Sequence, residues 1–254
     1  MVARVLVVSE DSGKQGVPTV QRLLKAAAQL AVPGLDTRLL DSRPLPSGDL
    51  SLNAIRGNAW KDKRTTPEKL GLIRTIANEL AQGNFVVFHV DSDSTWSRRA
   101  SSENRKKFDA VVRHLVIQWL MTPSPRSQTA KVYQPRSNEE ATALVANLLV
   151  MHPCYSIESW LYQATDELKA RCRAAHDDAD HQSLIDSWAM DRTLLDEVVR
   201  PKDDALGACV KDRHNEALAQ QFPAERVDAA KKSWHEFVEL LRASRRFRDR
   251  LVSR

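Results

Sequence analysis

Three carboxylates stand where short apolar runs end. Arg4-Val5-Leu6-Val7-Val8 leads into Ser9-Glu10-Asp11, and Asn84-Phe85-Val86-Val87-Phe88-His89-Val90 leads into Asp91-Ser92-Asp93. Carboxylates at i and i+2 just past a strand can both reach one hard cation while the strand fixes their position. Mg²⁺ usually keeps several waters and takes one or two carboxylates from the protein. An acidic trio from two neighbouring strands therefore suits Mg²⁺ (or Mn²⁺) and a phosphate-bearing substrate. The simpler role for any one of these residues is to cap the helix that follows.

The elements that must position the trio follow from pattern. The run ending at Val8 is β-branched, of the kind buried on both faces of a parallel sheet. Apolar positions Val20, Leu23, Leu24 and Ala27 predict a helix from Gly16 to Leu30, and Leu35 to Leu40 reads as a second strand. Pro44, Pro46, Gly48 and Gly57 make Asp41 to Thr66 a long loop, after which Thr66-Pro67 opens a helix as N-cap and first position. A long helix is expected from Ser102 to Met121, a Pro-containing loop from Thr122 to Ser137, a strand from Asn147 to Met151, and helices thereafter to Leu251. That order belongs to an α/β fold with a mainly parallel sheet flanked by helices. Residues 1–164 form the α/β part and 165–254 a helical C-terminal region packed on it. In such sheets ligands bind outside the carboxyl ends of the strands, where Glu10, Asp91 and Asp93 lie.

A Glu after the first strand with Asp-x-Asp after a later apolar strand resembles the TOPRIM domain of topoisomerases, primases and OLD-family nucleases. Two further segments are similar to small stand-alone TOPRIM proteins of bacterial phage defence. One is His152-Pro153-Cys154-Tyr155-Ser156-Ile157-Glu158-Ser159-Trp160-Leu161. The other is Pro201-Lys202 with Lys211 and Asn215, followed by Lys232-Ser233-Trp234 to Phe237 and Leu240.

The resemblance implies a TOPRIM-like fold and a Mg²⁺-dependent nuclease acting on DNA or RNA. Glu10 would ligate metal or act as general base, and Asp91 and Asp93 would bind metal. Glu158 would either ligate a second ion or serve as a helix N-terminal carboxylate. Lys211 would either neutralise the scissile phosphate or stand as an exposed lysine, and Trp160 and Leu161 read as core. The resemblance also implies an antiviral effector with a partner ATPase. The alternative is a non-catalytic TOPRIM-fold interaction or regulatory subunit. Where the family has Gly after its first Glu, this chain has Asp11-Ser12 before Gly13.

Composition sets outer limits. The 254 residues carry a net charge of +5, and the last thirteen, with six Arg and one Asp, hold all of it. A second basic stretch, Arg98, Arg99, Arg105, Lys106 and Lys107, follows the Asp pair and can attract a nucleic-acid backbone. The terminal cluster reads as a frayed tail or a second source of affinity. No apolar run reaches the roughly 18 residues needed to span a bilayer. The N-terminus lacks signal-peptide order, so the expectation is a cytoplasmic protein with no membrane partner. Association into a homo-oligomer is compatible with this reading.

Other chemistries lack their signals. Ser9 and Ser12 have no Gly-x-Ser-x-Gly context, and Gly13-Lys14 is no Walker A loop. Cys154, Cys172 and Cys209 are widely spaced and read as reduced thiols, forming neither a zinc site nor a disulfide framework. His152, His176, His181, His214 and His235 show no ligand spacing, with His176 and His181 expected in a solvated turn.

Overall fold

The computed structural model describes residues 2–11, 13–46, 50–62, 64–122, 135–176, 178–201, 206 and 209–252. Ser12, Lys202, Arg254 and most of the expected loop from Thr122 to Ser137 lie outside them.

Among the described residues four strands, β1 (Ala3–Ser9), β2 (Leu40–Pro44), β3 (Phe85–His89) and β4 (Leu148–Met151), form one all-parallel sheet in the order β2-β1-β3-β4. The two inner strands and β4 carry continuous apolar runs, and β2 at the other edge is mostly polar. Val7 pairs with Val87 and Ser9 with His89, so β1 and β3 end side by side.

Helices cover both faces. In chain order they are α1 (Gly16–Ala31), α2 (Leu50–Arg56), α3 (Pro67–Ala81), α4 (Glu103–Lys107), α5 (His114–Met121), α6 (Asn138–Val145), α7 (Glu158–Leu161), α8 (Thr165–Ala175), α9 (Ala179–Met190), α10 (Asn215–Gln220), α11 (Ala224–Ala229), α12 (Ser233–Ala243) and α13 (Arg245–Val252). One apolar cluster packs Leu6, Val8, Val86 and Phe88 against residues of α2, α3, α5 and α6. The other packs Val5, Val7, Phe85 and Val87 against α1 and the C-terminal helices. Alternate residues of each inner strand feed opposite clusters, as the two-residue period of a strand requires. Among the described residues no helix is long and apolar enough to cross a membrane.

Several expected elements appear at their places. Thr66 caps α3 through a bond from Lys69 N, with Pro67 at the first turn. The helix expected from Ser102 starts with Ser102 accepting from Arg105 N and runs through a π-helical stretch, Phe108–Arg113, into α5.

Others differ. β2 is Leu40–Pro44 rather than Leu35 to Leu40, because Asp36 accepts from Arg38 N and turns the chain into a 3-10 turn. The expected loop Asp41 to Thr66 instead contains the end of β2, α2 and a 3-10 turn, Ala59–Lys61, around buried Trp60. The basic C-terminus is no frayed tail through residue 252. Phe247 and Leu251 of α13 are buried, and Phe247 meets Phe85 edge to face at 5.2 Å.

The cysteine and histidine expectations are also corrected. Cys172 and Cys209 are joined as a disulfide with Cα atoms 4.7 Å apart, and His176 and His181 gather beside them instead of lying in a solvated turn.

Candidate functional site

Parallel pairing of β1 and β3 delivers Glu10 and Asp91 to neighbouring positions at the carboxyl edge. Glu10 N donates to His89 O at 3.1 Å, and Asp91 N donates to Glu10 Oε2 at 3.2 Å. Glu10 Oε1 accepts from Lys61 Nζ. Burial pushes the Glu10 carboxyl above the usual range; Lys61 opposes this and the charge of Asp91 reinforces it.

Asp91 is braced from below and beside. Its Oδ1 lies 3.2 Å from Nε2 of the wholly buried His89 and accepts from Ile157 N at 3.0 Å. The other ring nitrogen of His89, Nδ1, is 3.1 Å from Ser9 Oγ. Burial alone would push the His89 pKa down, but the hydrogen bond and charge of Asp91 raise it. The Ile157 bond and the His89 contact both fall on Oδ1, and among the described residues Asp91 Oδ2 accepts no hydrogen bond. Such an arrangement is how an outer shell orients a metal-binding carboxylate.

Asp93 sits in the left-handed region at φ 51°, which its short polar side chain tolerates. Its amide donates to Tyr155 O at 2.9 Å, and its Oδ2 accepts from Asn104 Nδ2 at 2.6 Å. Asn104 also donates to Asp91 O at 2.8 Å, so one α4 side chain holds both ends of the Asp-x-Asp turn.

Glu158, at the first turn of α7, is 9% exposed and accepts from Asn215 Nδ2 at 3.3 Å. Burial raises its pKa, and the charge of Asp91 raises it further. Glu10 and Glu158 are thus both coupled to Asp91. Lys211 lies exposed just before the 3-10 turn that leads into α10, four residues from Asn215.

Direct ligation of one ion by Glu10, Asp91 and Asp93 together is not preformed, because their ligand atoms do not all lie within 4.8 Å of one another. Octahedral Mg²⁺ with bonds of 2.0–2.1 Å puts neighbouring ligand oxygens ~2.9 Å apart. The arrangement fits one direct carboxylate, Asp91, with the others acting through water or after rotation.

The basic stretch beyond the Asp pair is partly committed. Arg99 stacks on Trp96 at 3.8 Å and lies 3.5 Å from Glu236, while Lys106 pairs with Glu103 at 3.0 Å. Arg105 lines a cleft of about 470 Å³ with Phe108, Arg113, His152 and Phe237 beside β4. Arg98 is exposed.

The two segments that carry the resemblance meet in the core. Trp160 Nε1 donates to Ser233 Oγ at 2.7 Å, and Trp160 packs edge to face on Trp234 at 5.1 Å. Ser233 in turn donates to buried Asp196 at 2.6 Å.

Spacing pointed to the three acids but not to Lys61, His89, Asn104 or Asn215 as their partners. His89 had a visible signal, the one polar residue in an apolar strand. Lys61 had none, since its position depends on the turn around Trp60.

Fold and site together define an α/β protein that draws carboxylates to the carboxyl edge of a four-stranded parallel sheet. No protein-family model, curated protein or solved structure matches the chain.

Proposed function

We propose that the protein is a Mg²⁺-dependent phosphodiesterase of TOPRIM type, a nuclease acting on DNA or RNA. The observation that carries this reading is the meeting of Glu10 and Asp91 at the carboxyl ends of β1 and β3, where Asp91 N donates to Glu10 Oε2 at 3.2 Å and Ile157 N holds Asp91 Oδ1 at 3.0 Å. Carboxylates crowded this way repel one another, and a divalent cation relieves the repulsion. Bound there, Mg²⁺ (or Mn²⁺) supplies Lewis-acid polarisation of a phosphoryl oxygen and an activated water.

The residues divide the remaining work. Asp91 holds the metal side, oriented by His89 and Ile157 N. Glu10, its carboxyl made more basic by burial, takes a proton from the attacking water. Lys61 is the lysine paired with Glu10 and can neutralise a phosphate oxygen when Glu10 changes partner, with Lys211 a second candidate for that role. Arg98, Arg99, Arg105 and Lys106 guide the backbone toward the Asp pair. An antiviral role in the cytoplasm with a partner ATPase extends the same reading.

A non-catalytic scaffold is the rival. What favours it is the Lys61–Glu10 ion pair, which neutralises one acid without metal. Incubating the purified protein with supercoiled plasmid and with total RNA, in Mg²⁺, Mn²⁺ or EDTA, separates the two. Metal-dependent cleavage lost in Asp91→Asn supports the nuclease. No cleavage of either substrate in any metal leaves the scaffold.

A further inference from the structure

Away from the acidic edge, three side chains of one helical hairpin meet a cysteine from a later segment of the chain. Cys172 is buried on the last full turn of α8. His176 ends that helix in an extended conformation, and Asp178 then caps α9, accepting from Asp180 N and His181 N through Oδ1. The helical hairpin thereby presents Cys172, His176 and His181 along one side of its turn. Cys209 arrives from the segment before α10, 37 residues beyond Cys172.

The distances match a metal site. Cys209 Sγ is 3.3 Å from His181 Nδ1 and 3.7 Å from His176 Nε2. With Zn–S near 2.3 Å and Zn–N near 2.0–2.1 Å, a tetrahedral site places each sulfur ~3.6 Å from each nitrogen. Cys172, His181 and Cys209 have ligand atoms within 4.8 Å of one another, and so do His176, Asp178 and His181; His176 meets the first group only through Cys209 and completes a four-ligand set by a rotation of its ring. Asp178 is already used as the α9 cap. Cys₂His₂ remains, a common closed structural set.

We infer that Cys172, His176, His181 and Cys209 form a structural Zn²⁺ site in the reduced protein. A disulfide between the two cysteines accounts for their contact but gives no reason for two imidazole nitrogens at the same sulfur. Zinc uses all four groups. Each thiol loses its proton on binding, and each imidazole binds in its neutral form. The ion fastens the segment holding Cys209 to the α8–α9 hairpin. Binding of this kind adds directly to folding free energy.

The test uses the full chain purified under reductant. Gel-filtered protein should carry about one zinc per chain by elemental analysis, and Cys209→Ser and His181→Ala should lose it. Should either variant fail to fold, cobalt substitution of the wild type gives the answer. Intense visible d–d bands with thiolate-to-cobalt charge transfer support the site, and a weak octahedral spectrum overturns it. Thiol titration in denaturant without reductant, after chelation, is a third readout. The chain has three cysteines. In protein isolated without reductant, three reactive thiols together with one released zinc support the site, whereas one thiol assigns the pair to the disulfide and overturns it. Reduced wild type that retains no zinc after equimolar addition also overturns it.

Discussion

The amide of Asp91 donates to Glu10 Oε2 at 3.2 Å, tying the residue after β3 to the residue after β1. A carboxylate held by a neighbour's backbone stays in place whatever side chain that neighbour carries. Substitutions at Asp91 should therefore remove charge without moving Glu10.

Asp91→Asn should lower any metal-dependent cleavage at least ~100-fold, because the open carboxylate oxygen becomes a neutral amide oxygen or an amide nitrogen. Thermal stability in EDTA should hold or rise slightly, since Glu10 and Glu158 lose a repelling neighbour. Plasmid cleavage and a melting curve on the same sample check both. Unchanged cleavage would move the chemistry elsewhere.

Glu158→Gln should stabilise the metal-free protein at pH 8, where the wild-type carboxyl is charged at a buried position. The folded pKa of Glu158 is raised, so its contribution is fully present below the unfolded value and is lost as pH rises through the folded value. Glutamine keeps the bond to Asn215 and carries no charge. Urea denaturation at pH 5 and pH 8 should show wild type losing more stability on that rise than the variant.

His152 shows the opposite sign. Burial pushes its pKa down to about 4, so its stability contribution is present above the unfolded value and is lost as pH falls toward 4. Wild type should lose up to about 3 kcal/mol through this residue between pH 7 and pH 4, and His152→Gln should lose correspondingly less. Equal acid sensitivity in the two proteins would show that another group governs the transition.

Charge reversal at Arg98, Arg99 and Lys106 should weaken cleavage and flatten its salt dependence, by a slope of ~0.9 for each duplex phosphate no longer neutralised. The C-terminal cluster needs a gentler test than deletion, because α13 buries Phe247 and Leu251. Deleting it would cost about as much as Phe→Ala in a core, ~3–5 kcal/mol. Arg245→Gln with Arg248→Gln removes charge and leaves the packing. If this pair impairs a short substrate more than the charge reversal does, the terminal cluster belongs to the site.

Much of the fold was legible because β1 and β3 are inner strands, and burial on both faces imposes apolar residues at every position. β2 was misplaced for the same reason in reverse. At the sheet edge only Leu40 is buried, so nothing periodic marks it, and Pro44 is tolerated there. The acids were legible because strand ends fix them by register. Their supports were not: Asn104 is 13 residues from Asp91 and Lys61 is 51 from Glu10, joined by helix packing and a turn. The cysteine–histidine cluster was hidden similarly. Three of its members share a hairpin, but the fourth arrives through tertiary folding, and spacing alone could not bring it there.

The contact between Phe247 and Phe85 also sets an order of events during synthesis. Val5, Val7, Phe85 and Val87 share a core with Trp234, Phe237, Phe247 and Leu251, so the first strand is covered by residues translated more than two hundred positions later. While the ribosome is still reading the middle of the message, α1 can shield that face only in part. We expect the nascent chain to hold a sticky half-sheet until α12 and α13 clear the exit tunnel, and to depend on chaperone capture over that interval.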